Sequence, residues 1–182
     1  MADEIEVVDY DASWPRLFEE ERAVLERHLP ADQVLGIAHA GSTAVPGLAA
    51  KPIIDIFIAV SGIDCAKATL VAPIAAAGYV YWAENPDSSR MFFVKGMSPY
   101  GQRRTHHVHV LEPASEHWQR VFAFRDYLRS HPDEAQRYQL LKRDLALRHR
   151  SDREAYTRAK DAYVLRVAEM ARAHRSHAAR DR

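Results

Sequence analysis

The sequence predicts an α+β domain: a mixed β-sheet backed by a helical C-terminal half. Three observations predict it. Short apolar runs bounded by glycine, proline and aspartate turns fill the first 111 residues. From Ser115 onward the apolar spacing is helical to the end. Strands early and helices late in one chain give a sheet with its helices segregated rather than a regular β-α alternation.

In order, Ile5 to Val8 alternates as a short strand. Ser13 is placed to cap a helix with Pro15 in its first turn, and Phe18, Val24 and Leu25 supply its buried stripe through Leu29. Gln33 to Ala40 reads as a second strand ending at a Gly41-Ser42 turn. Residues 53–60 form a third strand, in which Ile53, Ile54, Ile56, Phe57 and Ile58 indicate burial on both faces. Ile63 to Ala77 is an alanine-rich helix stopped by Gly78. Strands are expected at Tyr79–Ala83, Met91–Lys95 and Thr105–Leu111, separated by Pro86-Asp87 and Pro99-Tyr100-Gly101 turns. Helices follow over 115–130, 133–149 and 153–175, broken at His131-Pro132 and Ser151-Asp152.

The 182 residues suit one domain over 1–175, with a frayed charged tail over 176–182. Lysine plus arginine equals aspartate plus glutamate at 25 each, so no overall field draws the chain to nucleic acid or membrane. Its single cysteine, Cys65, excludes an internal disulfide and fits a reducing compartment. The acidic first ten residues lack the apolar run of a signal peptide, and no stretch approaches the ~20 apolar residues of a membrane span. The expected location is the cytoplasm.

Asp55 carries the chemistry, because it stands alone inside the apolar strand. A buried ionisable group is costly unless it is paired, hydrogen-bonded or bound to a metal. The Gly41-Ser42-Thr43 turn offers backbone N–H groups to a phosphate, and Lys51, a short loop away, offers a charge to neutralise it. His107 and His109, two apart on a strand, point to one face and His106 to the other. With Asp55 nearby they make a two-histidine, one-carboxylate set suited to zinc, manganese, iron or nickel; magnesium prefers oxygen ligands. His39, at its strand's end, is a third ligand, a general base, a partner holding Asp55, or a histidine that caps the turn. Arg90, Arg104, Arg125 and Lys142 form a candidate basic wall, although strand alternation sends Arg104 to the face opposite His107. Neither a P-loop nor a dinucleotide-binding glycine fingerprint nor a nucleophile elbow is present.

These residues resemble the GrpB family, whose members carry a nucleotidyltransferase-like fold. The matching run is His39, Gly41-Ser42-Thr43, Val45-Pro46-Gly47-Leu48, Lys51-Pro52 and Asp55. Asp9-Tyr10-Asp11, Trp14-Pro15, His106-His107-Val108-His109-Val110 and Phe124-Arg125-Asp126-Tyr127-Leu128 also match. So do the spaced Tyr138, Lys142, Tyr156 and Lys160. The resemblance covers residues 5 to 170 and implies a divalent metal, magnesium, manganese or zinc, with Asp55, Ser42 and His39 catalytic. It departs at Phe57, where nucleotidyltransferases usually carry a second metal-binding acid. Related domains occur joined to dephospho-CoA kinases, which implies a helper role in some settings.

Three functions stay open on the sequence. The first is metal-dependent nucleotidyl or phosphoryl transfer to or from a phosphate-containing small molecule or nucleotide. The second is a His/His/Asp metal site of other chemistry, and the third a non-catalytic binding or chaperone-like domain.

Overall fold

The computed structural model describes residues 4–99 and 101–180, with side chains through His174. A five-stranded mixed sheet is formed by β1 (Gly36–Ala40), β2 (Ile54–Ala59), β3 (Tyr79–Tyr81), β4 (Met91–Lys95) and β5 (His106–Leu111), in the order β1-β2-β5-β4-β3. Only β2 and β5 run parallel; every other pair is antiparallel. The α+β expectation is met.

One face of the sheet is covered by α1 (Trp14–His28), α2 (Ile63–Thr69) and α3 (Val71–Ala76). The main core lies here, with Phe18 and Leu25 against Ile54, Ile56, Ile58, Val108, Val110, Met91 and Phe93. The C-terminal helices α4 (Glu116–Ser130), α5 (Pro132–Arg148) and α6 (Arg153–Arg180) pack on one another, and α4 also meets β1. Val45 and Leu48, in the loop before β2, seat among Leu128, Tyr138 and Val167 of these helices. The loop therefore forms one boundary between the sheet and the helical half.

Several boundaries differ from the sequence reading. Ile5–Val8 makes no strand and contributes one bridge, Val8 to Ala50. The strand expected from Gln33 starts at Gly36, because Gln33 is held in a turn by Pro30. The helix over 63–77 is two helices meeting at Leu70. Pro73 has no N–H for the Thr69 carbonyl, so the helix breaks one turn before it. Ser13 precedes α1 without a side-chain cap; its own N–H instead donates to Asp11 Oδ1 at 2.8 Å. The strand at Tyr79 ends at Tyr81, and α6 runs beyond residue 175 to Arg180. Tyr100 of the expected turn and the last two residues of the expected frayed tail lie outside the described residues.

Candidate functional site: a basic pocket over an Asp-His-His cluster

The second face of the sheet builds the site. Register pairs Ala40, Asp55, His107 and Val94 across β1, β2, β5 and β4, and Ala38, Phe57, His109 and Phe92 in the next row. Period-two alternation sends both rows to the same side. Asp55 and the two histidines are thus brought together by the parallel pairing of β2 with β5.

His107 Nδ1 donates to Asp55 Oδ1 at 3.0 Å. Ligand atoms of Asp55, His107 and His109 lie within 4.8 Å of one another. The Asp55 side chain is 29 % exposed, open only to the pocket above it. Burial raises its pKa, but the His107 hydrogen bond and the charges of His107, His109 and Lys51 outweigh this and hold it below the ordinary carboxylate value. Arg90 Nη1 donates to His109 Nδ1 at 2.6 Å. Burial first, then Arg90, drives the His109 pKa well down.

Gly41 fixes where the carboxylate sits. Its φ is +68°, and a Cβ placed there would lie 2.2 Å from Asp55 Oδ2. Only glycine lets the backbone pass this close to the acid. The following 3-10 turn, Ser42–Ala44, puts Ser42 and Thr43 on the pocket wall. The helical half holds this loop by its carbonyls. Arg125 Nη1 donates to His39 O at 2.8 Å, Arg129 donates twice to Ala44 O, and Lys142 Nζ donates to Ala49 O.

The cavity above the cluster has a volume of about 930 Å³, large enough for a nucleotide-sized ligand. Seven lysines and arginines line it against two carboxylates, Asp55 and Glu154. Three of the lysines rest on aromatic rings. Lys51 and Lys160 lie 5.2 and 4.3 Å from the Tyr156 centroid, and Lys142 lies 4.8 Å from that of Tyr138. Burial, reinforced by neighbouring cations, lowers Lys51 and Lys142 to about 7; burial lowers Lys160 to about 8. Of the seven, Arg90 has a carboxylate partner in Asp87 and Arg158 in Glu154.

Of the residues singled out in the sequence, the pocket gathers Gly41, Ser42, Thr43, Lys51 and Asp55 with Arg90, Arg104, His107, His109 and Lys142. Arg104 corrects its expected facing. It lies in the connection before β5, where strand alternation does not yet apply. Two others fall elsewhere. His39 pairs with Ile56, on the opposite face from Asp55; it stacks on Phe18 at 4.8 Å and its Nε2 bonds Thr43 Oγ1 at 2.9 Å. Its pKa falls to about 4, mainly by burial, and it braces the turn from behind. Arg125 lines a separate, smaller hollow of about 460 Å³ beside α1, bonded to Asp126 and the His39 carbonyl, so it is not part of the basic wall.

Sequence reasoning missed Arg153, Arg158 and Lys160 of α6, and Trp82 and His117 at the rim. For Lys160 a signal existed, since it belonged to the Tyr138, Lys142, Tyr156, Lys160 set, of which Lys142, Tyr156 and Lys160 line this pocket.

The donor set fits one metal ion. One carboxylate and two imidazoles suit a first-row transition metal, and His107 Nε2 is buried without a hydrogen-bond partner among the described residues. It does not fit two. Phe57, in place of a second acid, stacks on His109 at 4.6 Å and packs on His117, Trp118 and Phe122, so α4 fills that position with rings.

No described helix is long and apolar enough to cross a membrane. A UPF0157 protein of Pseudomonas aeruginosa is 52 % identical over 166 residues, 91 % of this chain and 66 % of that protein. UPF0157 protein YqkA of Bacillus subtilis is 37 % identical over 168 residues, 92 % of this chain. The chain spans only 66 % and 47 % of the lengths of these two relatives. The crystal structure of conserved protein GrpB from Enterococcus faecalis superposes with a TM-score of 0.80 at 36 % identity, covering 91 % of this chain and 96 % of that one. The sequence model described as GrpB protein matches residues 4–170, and this chain belongs to the GrpB family, within the nucleotidyltransferase-like superfamily.

Proposed function

We propose that the pocket binds a phosphate-containing small molecule of nucleotide size and transfers its phosphoryl or nucleotidyl group with one divalent metal ion. The observation that carries this reading is the excess of lysines and arginines over carboxylates lining a cavity whose floor is Asp55, His107 and His109. Lys51, Lys142 and Lys160 would offset the phosphate charge, and Ser42 with the turn around it would border the phosphates. Asp55, His107 and His109 would hold the metal, which when bound supplies Lewis-acid polarisation of a phosphate oxygen. Arg90, now bonded to Asp87 and His109, would also donate to the anionic ligand. The protein's part in the chemistry is orientation and charge stabilisation.

The test is turnover of nucleoside triphosphates, supplied with Mg²⁺, Mn²⁺ or Zn²⁺, by wild type and Asp55→Asn. The reading predicts turnover that Asp55→Asn abolishes while the variant stays folded. Turnover retained in Asp55→Asn sinks this mechanism.

A second reading rests on Phe57. With the second acid replaced by a ring, the pocket binds its phosphorylated ligand without transferring a group. Binding by wild type in the absence of turnover with any of the three metals would favour it.

A further inference from the structure

The pocket has two chemically different ends. At one end Lys51 and Lys160 lie over the Tyr156 ring and Lys142 over that of Tyr138. At the other, Trp82 lines the same cavity just past the end of β3, the edge strand. Its N–H donates to Phe92 O at 2.9 Å, extending the row of Phe57, His109 and Phe92 by one more strand. Its indole is 47 % exposed, in edge contact with Phe92 at 5.9 Å. A large ring that is half open, anchored by its neighbour and facing the cavity is positioned to stack on a flat ligand group.

Neighbouring strands lie about 4.8 Å apart, so β2 and β3, with two strands between them, are separated by about 14 Å. A lone phosphate at the lysines cannot reach Trp82 across this span. A ligand with a planar ring, a sugar-sized spacer and two or more phosphates can. The ring's place has few charges: Trp82, Phe92 and Pro86 are there, with Arg90 over the Phe92 ring at 5.6 Å.

We propose that Trp82 is a base-stacking residue and that the ligand class is a nucleoside polyphosphate, its base on Trp82 and its phosphates at the lysines. This rests on the phosphate reading of the pocket above and adds the ring-bearing half of the ligand. Stacking on an aromatic side chain depends little on which base is presented, because every base has a π-face. The site therefore discriminates weakly between purines and pyrimidines, and strongly between a nucleotide and an inorganic polyphosphate.

Isothermal titration of the full chain with ATP and, separately, with inorganic tripolyphosphate at the same Mg²⁺ concentration tests this. Wild type should bind ATP about tenfold or more tighter than tripolyphosphate. Trp82→Ala should bring ATP down to the tripolyphosphate affinity and leave tripolyphosphate binding unchanged, and Trp82→Phe should restore most of the difference. Unchanged tripolyphosphate binding also certifies that the variant is folded. Equal affinities in wild type, or an ATP advantage that survives Trp82→Ala, overturns the stacking role and leaves the phosphate reading standing. If wild type binds neither probe, both fall together.

Discussion

Replacing Gly41 by alanine tests how the Asp55 carboxylate is held. The new Cβ would lie 2.2 Å from Asp55 Oδ2 and 3.0 Å from its Cγ, while the backbone stays at φ +68°. The left-handed conformation alone costs alanine about 1–2 kcal/mol. To relieve the contact the carboxylate must swing away and give up the 3.0 Å bond from His107, a charged hydrogen bond of about 1.5–3 kcal/mol. The expected loss is about 3–5 kcal/mol, a large share of the ~5–15 kcal/mol that holds a domain together. Urea unfolding of four proteins reads it: wild type, Gly41→Ala, Asp55→Ala and the double variant. With the carboxylate gone, only a tight contact to the remaining Cβ persists, so Gly41→Ala should cost about 1–2 kcal/mol in that background. A coupling of about 1.5–3 kcal/mol is the predicted result. An equal cost of Gly41→Ala in both backgrounds would refute the claim that the acid sits on the glycine.

Affinity for tripolyphosphate should fall as pH rises from about 7 to 9, because Lys51 and Lys142 at about 7 and Lys160 at about 8 lose their charge there. Binding should take up protons in that window, seen as a buffer-dependent heat in calorimetry. For the ligand-free protein the sign reverses. These lysines deprotonate earlier when folded than when unfolded, so the unfolded chain binds more protons between about pH 7 and 10, and their contribution to stability rises with pH. Lys142→Met leaves the buried Ala49 carbonyl without its donor, so denaturation should show a loss of about 1–3 kcal/mol, while tripolyphosphate affinity drops tenfold or more. Phe57→Asp should not create a second metal site. The carboxylate would stand among His109, His117, Trp118 and Phe122, so destabilisation of about 3–5 kcal/mol is expected, with no second equivalent of Mn²⁺ bound.

Local pattern made part of this legible in the sequence. Met91–Lys95 has the bounds expected of it, and alternation placed His107 and His109 on one face with His106 on the other, where it approaches Glu21. Asp55 stood out because burial of an acid demands a partner, and the partner is His107. What failed depended on register or on distant packing. His39 is one residue from facing Asp55: Ala40 takes that register position, and a one-residue offset changes faces. Arg125 and Lys142 were weighed alike as helix cations, yet the turn of α4 sends one to the back of the loop and that of α5 sends the other into the pocket. Trp82 carried no mark beyond an aromatic inside the expected strand Tyr79–Ala83, since its role comes from the neighbour Phe92 and the open edge.

The central claim is a phosphate pocket that shares its floor with one metal ion, and a thermal-shift titration with ATP and Mn²⁺ tests it most directly. A ligand at about 100 times its dissociation constant adds about 2.7 kcal/mol, a readily visible rise in melting temperature. The account predicts a rise with ATP that Mn²⁺ enlarges and that Asp55→Ala makes insensitive to Mn²⁺. No rise with ATP, or a rise indifferent to both Mn²⁺ and Asp55, would contradict it.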